Sequence, residues 1–238
     1  YGDTLEKGLK FDIGTKAQEK AMQIQQEGLK QQLASADRAA EIVAQQSTRP
    51  TGINVDVPIG SEIPAGKTVY YVSCGPEACT EAGQVFKAAG EFLGWEVITL
   101  DTDGSPQGIA DAFAQVVRAE PDGLYYKAVP RSQVGPYLEE LDALGAVVVN
   151  DSLTDPDTTA PVVWSGYTAQ HLVPNGVGMA AWVVNDAGAA TDAVYIDLPQ
   201  FDNLAPMAEA FESTLAELCP ACGHKKLDLA LSDIVNLP

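Results

Sequence analysis

The sequence predicts an α/β fold made of two lobes, each built on a parallel β-sheet. From Lys67 onward, short apolar runs rich in β-branched and aromatic residues alternate with amphipathic stretches of helical length. The apolar runs are continuous, as in strands that helices cover on both faces. The alternation is interrupted once, over residues 151–166, and then resumes. This pattern is typical of two Rossmann-like lobes joined by a crossing segment.

The first lobe is predicted to occupy residues 67–152, the crossing segment 153–166 and the second lobe 167–238. Strands are expected at 68–73, 95–100, 123–126, 146–149, 193–198 and 227–231, and helices at 80–94, 106–119, 133–144, 170–187 and 204–218. The second lobe has only two of these strands, which leaves sheet edges exposed. We therefore expect it to be incomplete, with the natural chain continuing beyond Pro238 or another chain completing the lobe.

Residues 1–66 form a separate N-terminal extension. A helix is expected at 15–47, followed by a linker at 48–66 that Pro50, Pro58 and Pro64 interrupt. The helix carries an apolar stripe made of Met22, Leu29, Leu33, Ala36, Ala40 and Val43. Such a stripe fits a coiled-coil face, or a spacer helix that lies on the main domain or between it and a membrane anchor. Because the stripe is thin and rich in alanine, it favours the spacer.

The charge of the chain restricts its partners. With 33 acidic and 14 basic residues, the net charge is −19. Such a surface repels nucleic-acid phosphates and anionic lipid headgroups, so we expect no nucleic-acid partner and no binding to a membrane surface. No apolar run approaches the roughly 18 residues that span a bilayer.

The four cysteines lie in two close pairs, Cys74 with Cys79 and Cys219 with Cys222. Two short disulfides formed in an oxidising compartment account for this pairing. Four free thiols in a cytosolic protein are an alternative. A zinc site is another, because His224 follows the second pair, but it would need a fourth ligand. A thioredoxin-type redox motif is disfavoured, since Cys219 follows a predicted helix instead of opening one.

Polar residues follow the predicted strands at the edge where parallel sheets bind their ligands. The candidate ligand-binding residues are Glu77, Asp101, Asp103, Lys127, Arg131, Asp151 and Ser152 in the first lobe, and Tyr167, Gln170, Gln200, Phe201 and Asn203 in or next to the second. We expect the loops of the two lobes to face a shared gap, so that Glu77, Asp151 and Gln200 would border one cavity.

These side chains suit a hydroxyl-rich solute, because amides and carboxylates donate and accept hydrogen bonds in fixed directions. Trp164, Tyr167 and Phe201 are candidates for packing on the C–H face of a sugar. Two of the carboxylates have another interpretation, since Asp101 and Asp103 also fit turn or helix-capping positions.

The remaining aromatic residues are expected to serve packing. Tyr125 and Tyr126 are adjacent in a strand, so only one of them can face the cleft. Trp95 and Trp182 lie within predicted elements and are expected in the core.

Four stretches of the first lobe, at 67–75, 88–101, 120–126 and 144–151, carry a family resemblance. Their order and spacing resemble the complete first lobe of type I periplasmic binding proteins, the ribose- and galactose-binding group of ABC importers. Residues 170–231 resemble the beginning of the second lobe. The resemblance implies a clamshell that binds a carbohydrate or polyol without catalysis or a cofactor. It also implies delivery to an ABC permease in the membrane, and an extracytoplasmic location, periplasmic or anchored to the cell surface as a lipoprotein.

The resemblance also bears on individual residues. Relatives commonly carry an Asp-Arg pair after the fourth strand, and Asp151 and Ser152 match it, so the carboxylate is kept and the arginine is lost. The first loop of relatives often has Asn and two Phe, where this chain has Glu77, Cys79 and Thr80. The expected ligand is therefore not ribose in the usual pose, but another polyol, a cyclic sugar or a cationic small molecule.

Three other functions occur on α/β architectures of this kind. A nucleotide-dependent enzyme is disfavoured, because the loop at 73–79 lacks Gly-x-Gly-x-x-Gly and the chain has no Gly-Lys-Ser/Thr phosphate loop. The effector lobe of a transcription regulator is disfavoured by the acidic charge and by the absence of a basic helix-turn-helix in residues 1–66. A ligand-binding sensor with the same clamshell fits the sequence as well as a transporter component does.

Overall fold

The structure, a computed structural model, describes residues 2–52, 57–154, 156–188, 191–230 and 233. Within them the predicted alternation of helices and strands is present, and the α/β fold class is confirmed. The elements are α1 (Gly2–Gln46), β1 (Thr68–Val72), α2 (Glu77–Phe92), β2 (Glu96–Leu100), α3 (Pro106–Arg118), β3 (Gly123–Lys127), α4 (Arg131–Leu144), β4 (Val147–Asp151), β5 (Val162–Gly166), α5 (Ala169–Ala187), β6 (Asp192–Asp197), a 3₁₀ turn (Asp202–Leu204), α6 (Ala205–Leu218) and β7 (Gly223–Asp228).

Five strands form one parallel sheet in the order β2-β1-β3-β4-β5. Strand β5 differs from the prediction, which placed residues 162–166 in the segment between the lobes. It pairs directly with β4, with Val162 opposite Val148, and Val162 is buried in the core. The strand was missed because a proline-containing loop leads into it, where a helix normally marks a crossover between parallel strands.

The two faces of the sheet are covered by different helices. Tyr70, Val72, Leu124 and Tyr126 belong to one buried cluster with the inner faces of α3 and α4, as the 5.3 Å separation of the Phe113 and Tyr126 rings illustrates. Each fully buried side chain of this size contributes roughly 1.5–3 kcal/mol.

The opposite face packs against α2. The rings of Tyr71 and Tyr125 lie 5.1 Å apart, and Phe86 of α2 lies 5.0 Å from Tyr125. The adjacent tyrosines of β3 therefore point to opposite sides of the sheet, as strand alternation requires.

Local signals set the bounds of the helices that lead to the sheet edge. Ser105 caps α3, because its Oγ accepts a hydrogen bond from the Gly108 N–H at 3.0 Å, and Pro106 occupies the first helical position. Helix α4 ends at Gly145, whose φ of 76° is left-handed and suits glycine at this position.

Both cysteine pairs form disulfides, with Cα–Cα distances of 5.7 Å for Cys74–Cys79 and 5.3 Å for Cys219–Cys222. The free-thiol alternative is therefore wrong, since the structure has no free cysteine. The zinc alternative is wrong as well, because bonded sulfurs cannot act as thiolate ligands. The first disulfide joins the loop after β1 to the first turn of α2.

The chain divides into two compact units, one of residues 1–49, 177–193 and 211–224, the other of residues 50–176, 194–210 and 225–238. The boundaries pass through α5, β6, α6 and β7, and β6 pairs with β7 in a two-stranded sheet. The second unit contains the five-stranded sheet.

In the first unit, α1 contacts α6 through the ion pair of Arg38 with Glu217, and Ala39 is fully buried. The side chains of Leu29 and Leu33, which belong to the predicted stripe, lie outside the described residues. None of the helices in the described ranges has the length and apolar character needed to cross a membrane.

One packing expectation is wrong. Trp182 is 56% exposed on α5 and does not belong to the core. Trp95 is partly buried, and its indole N–H donates to the carbonyl of Pro64 at 2.7 Å. The helical pattern around Trp182 did not reveal which side of α5 faces the interior.

Substituting Gly83→Ala should destabilise the protein. A Cβ at this position would lie 2.6 Å from two ring atoms of Tyr71, whose side chain is fully buried and whose hydroxyl donates to the Cys79 carbonyl at 2.5 Å. The ring has no room to move, so we expect a net loss of about 1–3 kcal/mol from overpacking, even after the gain of about 1 kcal/mol in helix propensity. Urea unfolding measures the difference. Gly28→Ala, where a Cβ meets nothing within 4 Å, is the matched control and should cause no loss; equal effects of the two variants would contradict the packing argument.

Substituting Asp122→Asn should weaken the dependence of stability on acid pH. Asp122 accepts hydrogen bonds from Lys67 Nζ at 2.6 Å and from the Thr68 N–H at 2.8 Å, and these bonds lower its pKa. A carboxylate with a lowered pKa stabilises the fold above its unfolded-state pKa, and that stability is lost as the pH falls below about 4. Urea midpoints between neutral and acid pH test this. If the urea midpoint of the variant falls as steeply with decreasing pH as that of the parent protein, the contacts of Asp122 are not the source of the pH dependence.

Candidate binding site

Strands β3, β4 and β5 are each followed by a left-handed residue that carries a side chain, which after β5 is Tyr167 with a φ of 47°. Ala128 follows β3 with a φ of 52°, and Ser152 follows β4 with a φ of 61°. The Ala128 N–H donates to the carbonyl of Asp151 and the Ser152 N–H to that of Gly166, both at 3.0 Å. Ala128 and Ser152 thus each extend the parallel ladder by one bond and then turn the chain. Such conformations are costly for residues other than glycine, and they cluster at functional sites.

A cavity of about 280 Å³ opens beside Ala128 and Ser152, within the second unit. It is lined by three segments of the chain, comprising Ala128, Pro130, Arg131, Ser152, Leu153, Thr154, Pro156, Asp157, Gln200, Asp202 and Asn203. Four of the predicted site residues therefore come together here: Arg131, Ser152, Gln200 and Asn203.

Arg131 holds one wall of the cavity in place. Its Nε donates to Asp157 Oδ2 at 2.8 Å, and its Nη2 donates to the carbonyls of Thr159 at 2.6 Å and Ala160 at 3.1 Å. The other carboxylate oxygen of Asp157 accepts the Thr159 N–H at 3.0 Å. The guanidinium therefore serves mainly to fix the loop between β4 and β5.

Two buried polar side chains face no partner in the protein. Ser152 is 8% and Asn203 9% exposed, and both line the cavity. Among the described residues, none hydrogen-bonds to the Ser152 hydroxyl, the Asn203 amide or the more exposed Gln200 amide. These groups are free to hydrogen-bond to the contents of the cavity.

Asp151 lies outside the cavity lining. The Tyr125 hydroxyl donates to its Oδ2 at 2.6 Å, and Lys127 Nζ donates to the same oxygen at 3.4 Å. Lys127 Nζ also lies 3.3 Å from Oδ1, which is buried and accepts no hydrogen bond from the described residues. Burial raises the pKa of Tyr125, and the bond to Asp151 raises it further. Strand alternation turns Asp151 and Tyr125 toward the α2 face of the sheet.

The core side of β4 also carries a polar group. Asn150 is fully buried, and its Nδ2 donates to the Tyr126 hydroxyl at 2.8 Å. Burial raises the pKa of Tyr126 to about 12, and the bond from Asn150 opposes this rise. Tyr126 therefore stays protonated at neutral pH and acts as a packing residue with a polar end.

The three predicted acidic residues of the first loops do not line the cavity. Glu77 is exposed at the start of α2, and Asp101 accepts a hydrogen bond from Thr80 Oγ1 at 3.2 Å. Asp103 accepts from the side chain and the N–H of Ser105 at 2.6 and 2.9 Å, and these bonds lower its pKa. Asp103 thus supports the cap of α3.

The predicted aromatic platform is also absent from the cavity lining. Tyr167 stacks on His171 at 5.6 Å and accepts a hydrogen bond from Asn175, while Phe201 is partly buried before the 3₁₀ turn. Trp164 is 57% exposed. Gln170 is exposed on the first turn of α5.

Of Glu77, Asp151 and Gln200, which the sequence predicts to border one cavity, only Gln200 lines this one. Sequence reasoning also missed Asp157 and Asp202. A signal existed for Asp157, since it lies in the proline- and aspartate-rich segment that interrupts the alternation. Within the described ranges, no group of three or more His, Cys, Asp or Glu side chains could hold a metal ion.

No family model matches the chain, and no curated protein shows significant similarity to it. Solved structures do match. A periplasmic sugar-binding protein of an ABC sugar transporter from Legionella pneumophila is 16% identical with a TM-score of 0.59, over 69% of this chain and 61% of that one. An ABC transporter solute-binding protein from Agrobacterium vitis with bound allitol is 15% identical with a TM-score of 0.57, over 71% and 57%.

A regulator matches to a similar degree. A putative LacI transcriptional regulator from Bacteroides fragilis is 12% identical with a TM-score of 0.54, over 71% of this chain and 61% of that one. The chain thus spans 57–61% of the length of these three structures. At these identities the likeness concerns the fold. Over 69–71% of its length, the chain has the α/β fold of the type I periplasmic sugar-binding proteins of ABC transporters.

Proposed function

We propose that this chain binds a small hydroxyl-rich solute, a sugar or a polyol, in the cavity lined by Ser152, Gln200 and Asn203. The observation that carries the proposal is the pair of buried side chains, Ser152 and Asn203, that have no partner among the described residues. Both side chains line the cavity, so their polar groups can bind a molecule inside it. Solute hydroxyls, which both donate and accept, would form hydrogen bonds with them.

The dimensions and walls of the cavity support a solute of this class. Its volume of about 280 Å³ lies near the lower end for ligand sites, which suits one monosaccharide-sized molecule. Pro130, Leu153 and Pro156 supply apolar surface for C–H groups, in the place of the aromatic rings expected from the sequence.

The comparisons support the same class of ligand, because the similar Agrobacterium vitis protein was solved with allitol. We further propose that the protein is the substrate-binding component of an ABC importer that works outside the cytoplasm and delivers its solute to a membrane permease. The two disulfides support an oxidising location.

A regulator's effector-binding lobe is the second candidate, since a LacI-type regulator has the same fold. The net charge of −19 opposes DNA binding by this chain itself. Both candidates require the same solute site. They differ in the macromolecule that recognises the solute-bound protein.

A thermal-shift screen against pentoses, hexoses, pentitols, hexitols and nucleotides tests the ligand class. Binding to the folded state raises Tm by mass action, so we expect shifts with sugars or polyols. Isothermal titration calorimetry then gives the Kd of each hit. Shifts with nucleotides alone would contradict the proposal and favour an enzyme.

Substituting Asn203→Ala should weaken binding of the best sugar or polyol from that screen. Loss of one buried hydrogen-bonding group costs about 1–3 kcal/mol, which corresponds to an increase in Kd of roughly five- to 150-fold. Calorimetry measures the Kd. Asn185→Ala, which removes an exposed amide from α5, is the matched control and should leave the Kd unchanged. An unchanged Kd in the Asn203 variant would remove this cavity from the proposed site.

A further inference from the structure

We infer that the cavity selects its solute by charge, accepting neutral and amine-bearing sugars or polyols and rejecting their carboxylate and phosphate counterparts. The inference rests on the proposed function and names the class of solute more narrowly. It depends on which charged side chains of the cavity already have partners in the described part of the chain and which do not.

The cation of the cavity is already paired through two of its three nitrogens. Recognition of a carboxylate or phosphate by arginine uses the forked guanidinium edge with two parallel N–H donors. In Arg131, Nε is held by Asp157, and Nη2 is held by the carbonyls of Thr159 and Ala160. Both forked edges include Nη2, so an anion could bind in the bidentate way only by breaking a contact that fixes this wall of the cavity.

One carboxylate of the cavity, in contrast, is free. Asp202 lines the cavity, and among the described residues none forms a hydrogen bond or an ion pair with its side chain. Asp157 balances Arg131, so the lining carries one unbalanced negative charge, that of Asp202. A solute ammonium group would form the ion pair that Asp202 lacks.

The remaining polar groups of the lining do not alter this balance. Ser152, Thr154, Gln200 and Asn203 are neutral and can hydrogen-bond to hydroxyls. The overall charge of −19 adds a long-range field that disfavours anions and attracts cations. Local and global electrostatics therefore favour the same order of solutes.

Matched solute series separate charge from shape. Calorimetry with the full chain would compare D-glucitol, D-glucamine and D-gluconate, then D-glucose, D-glucosamine and D-glucuronate, and then the corresponding galactose series. In each series that binds, the amine should bind about two- to fivefold more tightly than the neutral member, as for an exposed ion pair, and the anion more weakly than either. High salt should reduce the preference for the amine and leave the neutral solute unaffected.

Two variants locate the source of the preference. Asp202→Asn should abolish the preference for the amine, because an uncharged amide cannot form an ion pair with an ammonium group. Glu140→Gln removes the same charge from an exposed position on α4 outside the cavity, and it should retain the preference.

The outcomes distinguish this inference from the proposed function. An anion that binds as tightly as its neutral counterpart overturns the inference and leaves the sugar or polyol site standing. A preference that persists in the Asp202→Asn variant overturns it too. If no member of any series binds, the proposed function is contradicted and the inference falls with it.

Discussion

The candidate site depends on one interaction, the pairing of Arg131 with Asp157 and the carbonyls behind it. Arg131 begins α4, and Asp157 lies in the loop that leads to β5. Because the pair is partly buried, removing either partner would leave a charge without compensation in the wall of the cavity. The pair therefore keeps the loop in one position, and this position leaves space for the cavity. The same pair sets the electrostatics of the site, since a guanidinium whose Nε and Nη2 are committed to the loop has no free forked edge for an anion.

The topology of the sheet explains why the site lies at this edge. In the order β2-β1-β3-β4-β5, the chain moves outward to one side of β1 and then returns to build the other side. Ligands of such sheets bind outside the carboxyl ends of the strands, near the point where the direction reverses. The cavity lies just past the ends of β3 and β4, where Ala128 and Ser152 turn the chain. The loop after β1 lies beside this region but contributes no residue to the lining.

The sequence was sufficient for the fold class and for four of the twelve candidate site residues, which line the cavity. Continuous apolar strands and amphipathic helices are local signals, so the bounds of β1 to β4 were predicted within a few residues. The direction of a side chain past the end of a strand is not local. Asp151 and Ser152 are adjacent, yet one is held on the α2 face by Tyr125 and Lys127 and the other lines the cavity. That difference depends on the left-handed turn at Ser152 and on pairing with β5, which the sequence did not reveal.

The strained backbone and the polar lining of the candidate site favour a functional role for it. Left-handed backbone at Ala128 and Ser152 costs of order 1 kcal/mol each. Two such residues are a noticeable cost against the 5–15 kcal/mol by which a typical domain is stable. Ser152 and Asn203 also place polar side chains that have no partner among the described residues on the cavity wall. Polar side chains at these two positions make sense if a bound solute regularly uses their hydrogen-bonding groups.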